Sequence, residues 1–136
     1  MMSRTATELR QLLYERRWQA KHFQAVQRDQ GDEVLFDALF GVFTNTPRPT
    51  EGYRDQILAG ELLCELRPAC RLAVQEAIRY SLPHWNFSVP DLPRYLSEYF
   101  GRDAVLQALS DLETHGSLTP SELQGIHTYK YWLKAK

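Results

Sequence analysis

The sequence predicts an all-α fold, a single-domain bundle of about seven helices joined by short loops. Three observations predict it. Apolar residues recur along most of the chain at i, i+3, i+4 and i+7, the spacing that places them on one face of a helix. No segment alternates with period two between hairpin turns. Glycines, prolines and capping residues fall between the periodic stretches, where helices start and stop.

Each element has its own signature. Between Thr7 and Arg28 there is neither Gly nor Pro, and Leu9, Leu12, Leu13, Ala20, Phe23 and Val26 share a side, which predicts one long helix. On its opposite side Arg10, Arg17, Lys21 and Arg28 fall nearly on a line at about a hundred degrees per residue, forming a basic ridge flanked by Tyr14 and Trp18. Gly31 stops this helix, and Asp32 caps a second that is apolar almost all the way round, through Val34, Leu35, Phe36, Leu39, Phe40, Val42 and Phe43. Such a helix belongs in the middle of a bundle. Pro47 and Pro49 mark the loop "TNTPRPTEGY". Tyr53, Ile57, Leu58 and Leu62 define a third helix. Cys70, Ala73, Val74, Ala77 and Ile78 define a fourth, which Pro68 opens at its first turn. Leu92, Tyr95, Leu96, Tyr99 and Phe100 form a fifth that ends at Gly101, and Val105, Ala108, Leu109 and Leu112 a sixth that ends at Gly116. In "SLTPSEL", Thr119 is the N-cap, Pro120 the first helical residue and Glu122 the reciprocal partner of a capping box. The helix that follows turns Ile126, Tyr129 and Leu133 inward.

Composition bounds the function. The chain has 136 residues, 43% of them hydrophobic, enough for one domain over residues 1–136 with a core that needs no disulfide or metal. The net charge of −1 gives no overall attraction to a polyanion or an acidic membrane surface. Arg4, Glu8 and Arg10 interrupt the beginning before a signal-peptide core can form, and no segment reaches transmembrane length; the expected location is the cytoplasm. Cys64 and Cys70 read as small buried hydrophobes in helices, not as metal ligands or a disulfide framework. No phosphate loop, nucleophile elbow or H-E-x-x-H motif is present, and His22, His84, His115 and His127 are not spaced as metal ligands on one turn. No catalytic residue, metal or cofactor is assigned.

The stretch "SLPHWNFSVPDLPRYL" raises the main functional question. Pro83 stops the fourth helix, Ser88 serves as a cap, and Phe87, Val89 and Leu92 pin the loop to the core. His84, Trp85, Asn86 and Arg94 then have no required structural role and form a candidate partner-binding surface. A buried Trp85 would make the stretch a packed corner instead. Tyr129, Tyr131 and Trp132 cannot all face one side of a helix, so Tyr131 and Trp132 join the candidate surface, aromatic side chains being favoured at interfaces.

The expected function is therefore that of a non-catalytic protein that binds another protein, as an adaptor, a regulatory subunit or an immunity-type inhibitor, or that binds a second copy of itself. The acidic bias of the fifth and sixth helices offers a complement to the basic ridge for such self-association. An alternative is a nucleic-acid-associated regulator using the ridge. The last two helices have helix-turn-helix spacing, but the segment beginning Pro120, Ser121, Glu122 lacks the Arg or Asn used to read bases. A third reading is an enzyme whose site is gathered from distant residues, with His84 oriented by Asp91; this requires a polar cleft beside them.

Overall fold

The computed structural model describes residues 4–44 and 51–134. Pro47, Pro49 and most of the loop they mark lie outside the described residues. Eight helices occur among the described residues, and no strand: α1 (Ala6–Tyr14), α2 (Ala20–Gln30), α3 (Asp32–Thr44), α4 (Gly52–Leu66), α5 (Val74–Ser81), α6 (Asp91–Phe100), α7 (Arg102–His115) and α8 (Pro120–Lys134). One buried cluster draws on all eight.

The all-apolar helix is the hub. α3 touches α1, α2, α4 and α5 and buries seven side chains, among them Leu35, Leu39 and Phe43. Apolar residues around most of a helix require neighbours on most sides, and four helices supply them. The second half of the chain is organised around α6, which packs on α4, α7 and α8 through Leu92, Tyr95 and Leu96.

The expected long first helix is instead two. α1 ends at Tyr14, Arg16 takes a left-handed conformation with φ 58°, and the chain re-enters a helix at Ala20. No glycine or proline forces this break; tertiary contacts do. Arg16 donates to the carbonyls of Leu13 and Tyr14 and to the carboxylate of Asp55 at 2.9 Å, and Asp55 is only 2% exposed. Trp18 fills the joint, lying against His22 and Phe23 with Arg4 above its ring. A straight helix over residues 7–28 would run roughly 33 Å, whereas the 13 residues of α3 span roughly 20 Å. Breaking the segment lets both halves pack on α3.

A second departure lies between α4 and α5. Pro68 does not open a helix: Arg67 ends α4 in a left-handed conformation, and residues 67–73 form a non-helical joint, so Cys70 and Ala73 precede α5. The joint is fastened from outside. The Asp32 carboxylate accepts from the Ala69 N–H at 2.8 Å, Tyr95 donates its hydroxyl to the Pro68 carbonyl, and Gln27 donates to the Leu66 carbonyl. Two expected caps are not formed: Asp32 lies inside α3 and its carboxylate accepts from Gln27 and Ala69, and α6 begins at Asp91 with Pro90, not Ser88, at its N-cap. Other local signals hold. Gly31 and Gly101 close α2 and α6 with φ of 96°. Thr119 and Glu122 form the reciprocal capping box at 2.9 and 3.1 Å. No helix among the described residues is long and apolar enough to cross a membrane.

Candidate functional site

The proline-rich stretch is a corner. Trp85 is 4% exposed, its indole N–H donates to the Val89 carbonyl at 2.9 Å, and its ring packs on Phe87 and Tyr129 with centroids 5.1 and 4.4 Å away. Val89 and Leu92 are buried beneath it. Asn86 is half-buried and accepts from the Ser88 N–H. The clamp comes from a distant helix. Gln56, 2% exposed in α4, donates to the His84 carbonyl at 2.8 Å and accepts from the Asn86 N–H at 2.7 Å. One side chain thus replaces the ladder that an irregular backbone lacks.

Trp132 belongs to the same corner, since its half-buried indole donates to the Phe87 carbonyl at 2.9 Å. Tyr131 is exposed at 63%, with its ring edge-on to Trp132. Arg94 is exposed on α6 and pairs with Glu98. Of the six expected surface residues, Trp85, Asn86 and Trp132 are thus engaged in holding the corner, while Tyr131, beside Trp132, and His84 and Arg94 are exposed.

The basic ridge dissolves with the helix that was to carry it. Arg17 sits in the joint beside Glu15, and Lys21 and Arg28 are exposed on α2. Arg10 turns the other way, onto α3. Two of the acidic residues of α7 are engaged locally: Glu113 accepts from Lys130 and pairs with His127, and Asp111 accepts from Gln75 and Gln107.

What the structure assembles instead is an open groove of about 880 Å³ along α3, walled by α1 on one side and by α5 with the residues after it on the other. Phe36, Asp37, Phe40, Gly41 and Thr44 of α3 line it, with Arg10 from α1, Arg71 and Leu72 from the α4–α5 joint, and Arg79, Tyr80, Pro83 and His84 from the far side. Volume in this range is typical of binding clefts.

Its charges are not equivalent. Arg71 is neutralised by Asp37 and Glu33. Arg10 is held by backbone: Nε donates to the Ala38 carbonyl at 3.0 Å and Nη2 to the Asp37 carbonyl at 2.7 Å. Gly41 makes this seat possible, because a Cβ there would collide with the guanidinium. Neither Arg10 nor Arg79 forms an ion pair with a carboxylate among the described residues. A guanidinium fixed against a helix, with N–H groups left over, is a preorganised anion contact.

The groove supplies the polar cleft beside His84 that the enzyme reading requires, but without Asp91, which does not line it. Asp91 packs on α4 at Gly60, where burial raises its carboxyl pKa. Burial also pushes the Cys64 thiol up to about 12, with the Asp91 charge adding to the effect, and raises Cys70. No group of three or more His, Cys, Asp or Glu among the described residues is arranged to hold a metal ion. Comparisons of the chain with protein-family models, with curated proteins and with solved structures return no match.

Proposed function

We propose that this chain is a non-catalytic binding module that engages another protein along the α3 groove. The observation that carries the reading is the presentation of Arg10 and Arg79, two permanent cations without carboxylate partners among the described residues, in one cleft with exposed Tyr80. Arginine does not exchange its proton near neutral pH, so these groups are suited to holding a ligand rather than to acid–base turnover. Tyr80, 52% exposed, adds the large amphipathic surface typical of interface anchors. The expected self-association and the ridge-based nucleic-acid alternative gain no comparable support.

Site-specific photo-crosslinking tests this. The chain carrying Tyr80→p-benzoylphenylalanine is irradiated in cells that naturally express it, beside a control carrying the same substitution at Tyr131. The reading predicts a defined protein adduct from position 80 and none from 131. Adducts from 131 alone, or from neither, overturn it.

A further inference from the structure

We infer that the occupant of the α3 groove is an acidic segment of the partner protein, its carboxylates seated on the Arg10 and Arg79 guanidiniums and an apolar side chain set against Tyr80 and Pro83. The inference rests on the reading of the groove as a protein-binding cleft and names the chemistry of what enters it.

Charge bookkeeping within the groove points this way. Three arginines line it against two carboxylates. Asp37 is engaged by Arg71, and Glu122 accepts the Thr119 N–H of its own helix start. Glu122 keeps its own charge, so the lining carries a net surplus of one positive charge; Arg10 and Arg79 are its arginines without a carboxylate partner among the described residues, and they complement an anion. The chain goes to some structural length to keep Arg10 there. A long cationic side chain ordinarily extends into solvent, yet this one lies against α3 on two carbonyls, over the only kind of residue that leaves room for it, Gly41. Planar guanidinium N–H groups match the paired oxygens of a carboxylate.

The apolar component decides between anions. Leu72, Tyr80 and Pro83 also line the cleft and are at least partly exposed, so a purely ionic ligand would leave apolar wall uncovered. A peptide that alternates acidic with apolar residues satisfies both. A nucleic-acid strand would use the same arginines but draws its affinity from many phosphate contacts, and the arginines here are too few and too locally placed to track a backbone.

The test is selection of an unbiased, monovalently phage-displayed peptide library on the immobilised full chain, with enriched peptides synthesised and located by amide chemical-shift mapping. Peptides that map to the groove are expected to be rich in Asp and Glu with interspersed apolar residues. Arg79→Glu is expected to weaken them about fivefold or more, as reversal of a rim charge does. Arg10→Gln, verified as folded by its thermal melt, is expected to weaken them as well, and raised salt to weaken them progressively. Groove-bound peptides of neutral or basic composition overturn the acidic inference while leaving the cleft reading intact. Failure to enrich any groove-bound peptide overturns both. A labelled single-stranded RNA 12-mer that displaces the peptides and binds more tightly than they do assigns the cleft to nucleic acid and overturns both.

Discussion

Replacing Gln56 with leucine tests how the 82–90 corner is held, and through it whether Trp85 is a structural residue. Leucine keeps most of the side-chain volume in α4 but can neither donate to the His84 carbonyl nor accept from the Asn86 N–H, bonds of 2.8 and 2.7 Å in the native fold. Two backbone groups lose their partner in a site where Gln56 itself is 2% exposed. Stranding a buried polar group costs about 1–3 kcal/mol. Because both groups are only partly shielded, water recovers some of that, and Gln56→Leu is expected to cost about 2–4 kcal/mol in total. Against a typical domain stability of about 5–15 kcal/mol the loss is readily seen in equilibrium urea unfolding. Amide exchange at Asn86 should accelerate in parallel. A loss below about 0.5 kcal/mol, with Asn86 exchange unchanged, would show that the corner does not depend on this clamp.

Three further outcomes follow from buried or strained positions. Ser81 donates to the Ile78 carbonyl at 2.7 Å, so in its 2.8 Å contact with Tyr129 the phenol is the donor; Ser81→Ala should cost about 1–3 kcal/mol, Tyr129→Phe about 1 kcal/mol or less, and the double variant no more than Tyr129→Phe, measured as a double-mutant cycle in urea. Arg67 holds φ 49° and ψ 52° at the end of α4, a conformation that glycine adopts without strain, so Arg67→Gly should raise stability by about 0.5–1 kcal/mol in thermal melts, and Arg67→Val should lower it. With Cys64 raised to about 12 by burial, the folded state favours the neutral thiol: its contribution to stability is fully present below the ordinary thiol value of 9.0 and is lost as pH rises toward 12. Alkylation of Cys64 by iodoacetamide at pH 8 should therefore be slower by about tenfold or more in the folded than in the urea-unfolded chain, and comparable rates would contradict the burial argument.

Features encoded within a few residues were legible in the sequence. The Thr119–Glu122 capping box, the glycine stops at 31 and 101 and the central place of α3 all depend on neighbours in the chain or on the composition of one helix. Features that depend on distant partners were not. The break at Arg16 exists because Asp55, 39 positions away, receives its guanidinium, and the joint at 67–73 is fixed by Asp32 and Tyr95. A trace of the Gln56 clamp was present: Asp55 and Gln56 fall on the same helical row as Ala59, Leu62 and Leu63, all buried, and polar residues on an apolar row imply buried hydrogen bonds. Gly41 carried a similar trace, since glycine inside an apolar helix is costly unless something must approach closely. What approaches is Arg10, placed by periodicity on the outer face. Helical period assigns a residue to a side of its helix, but whether a neighbour covers that side is decided by the fold.

The central claim is a division of labour: the α3 groove binds, and the Trp85 corner supports. Its most direct measurement is isothermal titration of the partner captured at position 80 against Arg79→Glu and Trp85→Phe, each with its unfolding free energy determined. Arg79→Glu should weaken binding about fivefold or more while shifting stability by no more than about 0.5 kcal/mol. Trp85→Phe, which deletes the bond to the Val89 carbonyl, should cost about 1–3 kcal/mol of stability and leave the affinity unchanged. The reverse pattern, with affinity lost at Trp85 and retained at Arg79, would contradict the account.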